Sequence, residues 1–174
     1  KHYQQSVMTV LVTGASGFVG SAITRALIER GADVAVLVRD SSNQENLESL
    51  KVRIRTGDLR DKASLARACK GCDTLFHVAA DYRLWTRDSR ELYASNVDGT
   101  RNLMESALEA GIARIVYTSS VATLGGSTDG TPGDETSAVT INDMVGHYKR
   151  SKFLAEKVID DLVTTHNLPA VIVN

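Results

Sequence analysis

The stretch Thr13-Gly14-Ala15-Ser16-Gly17-Phe18-Val19-Gly20 decides the fold of this chain, because it joins two segments of different periodicity. The aliphatic run Met8–Thr13 before it is typical of a strand buried on both faces. The segment Phe18–Arg30 after it repeats apolar residues at helical spacing. Glycines three residues apart allow a tight turn and a close approach to a pyrophosphate, which free N–H groups at the helix start would bind. The sequence therefore predicts a phosphate-binding loop; a turn with incidental glycines is the alternative.

Strand and helix continue to alternate along the rest of the chain. Further strands are predicted over Asp33–Val38, Val52–Thr56, Thr74–Val78, Ala113–Thr118 and Ala170–Val173, and further helices over Lys62–Cys69, about Glu91–Ala110 and about Met144–Thr165. Such alternation produces a parallel sheet with right-handed crossovers and helices on both faces. We therefore predict an α/β, doubly wound domain whose one long loop, Gly125–Ser137, is functional or mobile.

A single domain accounts for the chain. Its 174 residues, 43% of them hydrophobic, suffice for a core without a disulfide or a metal. We expect residues 1–7 to be a tag or a disordered leader and residues 8–174 to form the domain. Because the chain stops directly after an apolar strand, we also expect it to be part of a longer protein.

The composition argues against several kinds of partner. Twenty Lys and Arg against 21 Asp and Glu leave no broad basic field for nucleic acid. No apolar run approaches the roughly 20 residues that cross a membrane. Cys69 and Cys72 form a C-x-x-C pair, yet two thiols cannot close a zinc site, so we predict no metal and structural thiols, with a redox pair as the alternative. Reduced cysteines fit a cytoplasmic protein.

Two strand ends carry candidate contacts to the adenosine half of a dinucleotide. Arg39 follows the second strand, where an acidic residue usually binds the ribose hydroxyls. A guanidinium there can pair with a 2′-phosphate, so we predict NADP, with NAD possible because Asp40 follows directly. Asp58, which precedes Leu59, closes the third strand and can accept from the adenine amino group; a helix N-cap is its alternative role.

Tyr148 and Lys152 lie four residues apart, so on a helix both project from one face. A positive charge beside a phenol favours the phenolate, which is useful for proton transfer at neutral pH. Ser119 and Ser120 follow the fifth strand, at the edge where open α/β sheets bind ligands. The spacing of the tyrosine and the lysine is also common on solvated helix faces.

Five motifs together resemble the extended short-chain dehydrogenase/reductases, the NAD-dependent epimerase/dehydratase family, in order and spacing over nearly all of residues 8–174. They are Thr13-Gly14-x-x-Gly17-x-x-Gly20, Gly57-Asp58-Leu59, Asn96-Val97-Asp98-Gly99-Thr100, Thr118-Ser119-Ser120 and Tyr148-x-x-x-Lys152. The stretches 77–85, 118–125 and 146–152 look like those of hopanoid-associated sugar epimerases, bacterial relatives of dihydroflavonol 4-reductases. The resemblance implies a Rossmann NAD(P)-binding fold and a substrate lobe that is missing after residue 174.

The resemblance also implies roles for individual residues. Tyr148 would be the general acid/base, Lys152 would lower its pKa and bind the nicotinamide ribose, and Ser120 would bond the reacting oxygen, with Ser119 as its neighbouring candidate. The implied cofactor contacts are Gly14, Ser16, Gly17, Phe18, Val19, Gly20, Arg39, Asp58, Leu59, Ala79, Ala80, Tyr148 and Lys152.

The roles of four further residues are less certain. Asn96 either supports the region beside the fourth strand or is a surface amide. Tyr82 and Trp85 either line the substrate pocket or belong to the core or rim. We interpret His77 as a core histidine rather than a catalyst.

Three functions follow as hypotheses. The first is NADP(H)-dependent hydride transfer at a carbonyl or hydroxyl carbon of a small molecule, as in dihydroflavonol 4-reductases. The second is a nucleotide-sugar epimerase or dehydratase. The third, of another class, is a non-catalytic NADP-sensing module, although the tyrosine–lysine pair disfavours it. In the family, the helices near 91–110 and 144–165 commonly form a homodimer, which we also expect.

Overall fold

A computed structural model describes residues 8–125 and 132–174 of the chain. The expected leader, residues 1–7, and the part of the long loop at 126–131 lie outside the described residues. The strands are β1 (Thr9–Thr13), β2 (Asp33–Val38), β3 (Arg53–Thr56), β4 (Thr74–His77), β5 (Arg114–Thr118) and β6 (Ala170–Val173). The α-helices are α1 (Phe18–Glu29), α2 (Lys62–Cys69), α3 (Arg90–Tyr93), α4 (Gly99–Glu109) and α5 (His147–His166).

All six strands form one parallel sheet in the order β3-β2-β1-β4-β5-β6. The order reverses between β1 and β4, and an open α/β sheet binds its ligand outside the strand ends at such a switch point. The structure therefore confirms the doubly wound, Rossmann-like fold and places the loops after β1 and β4 beside one crevice.

The period-two pattern of the strands divides the core into two clusters, one on each face of the sheet. In β1, Leu11 belongs to the cluster that contains most of the buried apolar residues of α2, α4 and α5. Its neighbours Val10 and Val12 belong to the cluster against which Leu27 and Ile28 of α1 pack. Because both faces are covered by helices, the central strands are continuous apolar runs.

Two helices differ from their predicted form. The segment predicted over 91–110 is α3 and α4 joined by a π-helical turn, Ala94–Asp98. The last helix begins at His147, after the positive-φ residue Gly146, instead of at Met144. Met144 is buried, and its carbonyl accepts from Nε of Arg150, so tertiary packing takes this residue out of the helix.

Within residues 8–125 and 132–174, none of the helices combines the length and the apolar character needed to cross a membrane.

Candidate functional site

The glycine loop is packed against the end of β4. Gly14 has a φ of +71°, and a Cβ on it would lie 2.7 Å from the backbone nitrogen of Ala79. A Cβ on Gly20 would lie 2.1 Å from the carbonyl oxygen of Gly14, so α1 packs directly onto the turn. These close backbone contacts require glycine at both positions, and they bring Ala79, an expected cofactor contact, to the loop.

The start of α1 is open to an anion. Its N-cap residue is Gly17, and among the described residues no side chain caps the helix, nor is there an acidic residue in its first turn. Phe18 is 90% exposed and Val19 is 49% exposed, although both are apolar. The first N–H groups of this helix are therefore free to bind a phosphate, and this geometry fits a dinucleotide. Ser16 is half-buried, and its carbonyl accepts from Nδ2 of Asn46.

The adenosine-side candidates line one open depression of about 440 Å³ at the ends of β2 and β3. Its lining includes Arg39, Asp40, Asp58, Arg60 and Arg67. Arg39 is exposed, and none of the ion pairs between described residues includes it. The depression therefore has an arginine with no carboxylate partner among those residues.

Asp58 is not a helix N-cap, and that alternative is wrong. Asp61 caps α2 instead, since its side chain accepts from the backbone of Ala63. The carboxylate of Asp58 accepts two bonds from the guanidinium of Arg60, at 3.0 and 2.9 Å. These bonds hold the pKa of Asp58 below its usual value, although partial burial opposes them. Leu59 is half-buried, and its Cβ packs against Gly99, where an added Cβ would lie only 2.7 Å away.

Lys152 is almost fully buried, with 2% of its surface exposed. Its ammonium donates to Oη of Tyr117 at 2.6 Å and to the carbonyl oxygen of Thr118 at 2.9 Å. Burial lowers the pKa of Lys152 to about 8, while the negative charge of Glu156 raises it. A buried amine whose pKa is lowered in this way is typical of a functional site.

The two serines after β5 have different partners. Oγ of Ser119 donates to the carboxylate of Glu156. Ser120 caps a 3₁₀ turn, Val121–Thr123, where its Oγ accepts from the amide of Ala122 and keeps its own hydrogen for another partner. Between these neighbours the geometry favours Ser120 as the serine that faces a ligand.

Tyr148 is half-buried and lies one helical turn before Lys152 on α5. It is close enough to β5 that a negative charge on Tyr148 would disfavour ionisation of Tyr117, whose pKa burial already raises. Because Lys152 bonds the carbonyl of Thr118 and α5 packs on the turn that follows Ser120, the structure brings the serine and the lysine to the end of β5, with Tyr148 one helical turn before the lysine.

Asn96 lies in the π-helical turn and is a buried support, not a surface amide. Its Oδ1 accepts from the amide of Asp81 at 2.7 Å, and its Nδ2 donates to the carbonyl of Asp81 at 2.8 Å. The same Nδ2 donates to Oγ of Ser151, between Tyr148 and Lys152 on α5, at 3.0 Å. The side-chain amide of Asn96 thus connects the loop that begins with Ala79 and Ala80 to α5, the helix that carries Tyr148 and Lys152.

His77 is a core histidine, as predicted. Its surface is fully buried, and its two ring nitrogens lie 2.8 Å from Oγ1 of Thr13 and 3.0 Å from Oγ1 of Thr100. Burial lowers its pKa to about 3, and the nearby charge of Lys152 acts in the same direction. Oγ1 of Thr13 also accepts from the amides of Val78 and Ala79, which fixes the end of β4.

The remaining candidates differ in exposure. Tyr82 and Trp85 are 79% and 76% exposed, so neither belongs to the core. Cys69 and Cys72 are buried free thiols, and burial raises the pKa of Cys69 to about 12. Burial and the raised pKa disfavour the reactive thiolate, which favours structural or incidental thiols over a redox pair.

Sequence reasoning missed three residues that complete the site. Arg60 and Arg67 line the depression beside Arg39, and Tyr117 bonds the ammonium of Lys152. A polar ring at a buried strand position was the signal that could have identified Tyr117. The arginines carried no such signal, because exposed arginines on loops and helices are common.

Known proteins resemble this chain in sequence and in fold. The model of the NAD dependent epimerase/dehydratase family matches residues 10–174. The chain is 48% identical over 146 residues to a putative dihydroflavonol 4-reductase of Synechocystis sp., covering 84% of this chain and 42% of that protein.

Several solved structures share the fold. The crystal structure of gox2253 matches with a TM-score of 0.91 at 51% identity, over 97% of this chain and 51% of that one. UDP-glucose 4-epimerase of Thermus thermophilus, in complex with NAD, matches with a TM-score of 0.82 at 29% identity, over 95% of this chain and 54% of that one. The chain thus spans about half the length of these proteins, and its match from residue 10 to residue 174 shows that it belongs to the NAD dependent epimerase/dehydratase family.

Proposed function

We propose that this chain carries the cofactor-binding and catalytic residues of an NADP(H)-dependent oxidoreductase. Its reaction would be hydride transfer to or from a carbonyl or hydroxyl carbon of a small molecule, of the kind catalysed by dihydroflavonol 4-reductases. The observation that carries the proposal is the buried ammonium of Lys152, one helical turn from Tyr148 and beside the turn that begins at Ser120.

The cofactor would lie across the switch point of the sheet. The glycine loop from Gly14 to Gly20 and the open start of α1 would hold the pyrophosphate, with Ala79 and Ala80 alongside. Asp58 and Leu59 would contact the adenine, and Lys152 the nicotinamide ribose. When bound, the nicotinamide supplies or accepts the hydride.

The chain's own residues would manage the proton and the substrate oxygen. Oη of Tyr148 gives a proton to the oxygen during reduction and removes it during oxidation. Oγ of Ser120 donates a hydrogen bond to the same oxygen and holds it in place. The ammonium of Lys152 stabilises the negative charge that develops on the phenol when its proton leaves.

NADP preference is proposed from Arg39. Its guanidinium lines the depression beside Asp58 and has no carboxylate partner among the described residues, so it can pair with a 2′-phosphate. Arg67, in the same lining, is a second candidate cation for that phosphate, whereas the guanidinium of Arg60 is paired with Asp58.

The test is NADPH oxidation by the full-length protein with a panel of sugars, flavonoid-like ketones and small aldehydes. A reductase consumes one NADPH for each carbonyl reduced. An epimerase, which the structural likeness to UDP-glucose 4-epimerase favours as the second candidate, interconverts a nucleotide sugar without net NADPH loss. Tight NADP binding without either reaction would instead support a sensing module and would contradict the proposal.

The expected homodimer through the helices near 91–110 and 144–165 stays a prediction. The mass of the protein in solution, measured by light scattering, tests it.

A further inference from the structure

The carboxylate of Glu156 is the acceptor of a hydrogen-bond cluster next to the proposed active site. Its Oε1 accepts from Oγ of Ser119, from Oγ1 of Thr123 at 2.8 Å and from Nδ2 of Asn174 at 3.2 Å. The donors come from the end of β5, from the 3₁₀ turn and from the residue after β6. One side chain of α5 therefore bonds both ends of the stretch Ser119–Thr123 and the residue that follows β6.

Two of these donors also hold the backbone of Ser120. Its carbonyl oxygen lies 2.7 Å from Oγ1 of Thr123, whose single hydroxyl hydrogen it shares with Glu156, and it accepts from Nδ2 of Asn174 at 3.2 Å. We call residues Ser119–Thr123 the serine turn. The contacts of Glu156 thus restrict the serine turn on both sides of Ser120, although none of the hydrogen bonds described for Glu156 joins it to Ser120 itself.

Glu156 also lies one helical turn after Lys152 on α5. The other titratable groups around the buried ammonium are Tyr117 of β5, His77 of β4 and Tyr148 of α5 itself. Burial raises the pKa of Tyr117 and lowers that of His77, so neither of these groups is charged at neutral pH. Glu156 is therefore the carboxylate that balances the ammonium on this side of β5.

We propose that Glu156 is a positioning residue that holds the serine turn against α5 and keeps the buried Lys152 charged. It contacts no reacting atom, and it acts on Ser120 through Ser119, Thr123 and Asn174 and on Lys152 through its charge. The inference rests on the roles proposed above for Ser120 and Lys152, but both of its effects are measurable without a substrate.

Two variants separate the hydrogen bonds from the charge. Glu156→Gln keeps an acceptor oxygen of the same shape and loses the charge, whereas Glu156→Ala loses both. Asp161→Ala, which removes an exposed carboxylate from the same helix, is the matched control.

The first measurement is hydrogen exchange of the backbone amides in residues 119–124 of the full-length protein, followed by mass spectrometry. The amides of Ala122 and Thr123 are bonded to Ser120, so their exchange reports on the turn. We expect Glu156→Ala to accelerate this exchange about tenfold or more, Glu156→Gln to do so by much less, and Asp161→Ala to leave it unchanged.

The second measurement is the titration of Lys152 by NMR of protein labelled with ¹³C at lysine Cε, the resonance being assigned with Lys152→Arg. The charge of Glu156 favours the ammonium, so Glu156→Gln should lower the titration midpoint from about 8 by about half a unit or more, while Asp161→Ala should not.

The proposal is wrong if exchange in residues 119–124 stays within about twofold of the parent in Glu156→Ala. It is equally wrong if the midpoint of Lys152 is the same in Glu156→Gln and the parent. A wild-type protein that fails to oxidise NADPH would contradict the proposed function and leave both of these measurements intact.

Discussion

The proposed chemistry depends on a few individual side chains. The role of Tyr148, on α5, is the one that a single substitution tests most directly. Tyr148→Phe removes the hydroxyl that exchanges a proton with the substrate and keeps the ring. We expect kcat of the full-length protein to fall by about 10²–10⁴-fold, with little change in the Kd for NADPH. Stopped assays and NADPH fluorescence titration measure the two quantities. A kcat that stays within a few-fold of the parent would rule out this role.

Substitution of a second single residue, Arg39, tests the proposed preference for NADP. Arg39→Ala removes the guanidinium that would pair with the 2′-phosphate, so the Kd for NADPH should rise about tenfold or more while that for NADH changes little. Calorimetric titration of both cofactors gives the comparison. Arg101→Ala, an exposed arginine of α4, serves as the control and should affect neither affinity. Equal losses for both cofactors in Arg39→Ala would contradict the assignment.

At the scale of elements, Asn96 joins the loop after β4 to α5 across the π-helical turn. Asn96→Ala leaves the amide and carbonyl of Asp81 and the hydroxyl of Ser151 without this partner. We expect the free energy of unfolding to fall by about 1–3 kcal/mol, because buried polar groups become unpaired. Urea denaturation measures it.

Asn102→Ala provides the comparison for that measurement. Asn102 is partly buried and donates one bond, to the carbonyl of Leu59. Its loss should cost about 1 kcal/mol or less. If the two variants lose equal stability, Asn96 does not connect the elements as described.

The elements also show which features the sequence could predict. Short aliphatic runs between helical patterns predicted all six strands, and the glycine spacing predicted the turn after β1, because local sterics dictate both. The π-helical turn was not predictable, since Ala94–Asp98 has an ordinary helical composition and the extra residue is stabilised by the tertiary contacts of Asn96.

The site was predictable to a similar extent. Spacing and strand position pointed to Tyr148, Lys152 and the pair Ser119 and Ser120, and the family resemblance was needed to assign their roles and to prefer Ser120. The contacts of Glu156 could not be predicted, because a glutamate on a helix acquires its partners only from the segments that fold against it.

For the molecule as a whole, the burial of His77 predicts how stability depends on pH. The folded-state pKa of about 3 lies below the ordinary value of 6.5. As the pH falls below 6.5, the unfolded chain binds a proton that the folded protein does not accept until about pH 3. The free energy of unfolding should therefore be largest above pH 6.5 and should decline between these two values.

Urea denaturation between pH 7 and pH 4 compares the parent with His77→Gln and with His166→Gln, an exposed histidine at the end of α5. His77→Gln should be less stable at neutral pH and should show a flatter decline on acidification, since the titrating ring is gone. His166→Gln should follow the parent. If the free energy of unfolding declines equally with pH in the parent and in His77→Gln, the ring of His77 has the same pKa in the folded and unfolded states and the prediction is wrong.

The parallel sheet separates the part of the sequence that folds the molecule from the part that recognises ligands. The interior of β1, β2 and β4 is buried, whereas most of the proposed ligand contacts lie in the segments that follow the strands, with Tyr148 and Lys152 on α5. Exposed apolar side chains, Phe18, Tyr82, Leu84, Trp85, Val121 and Val145, lie in those same segments or directly before α5. Mutations there can accumulate at little cost to folding, so descendants of one ancestral gene can change the molecule they recognise while they inherit the same scaffold.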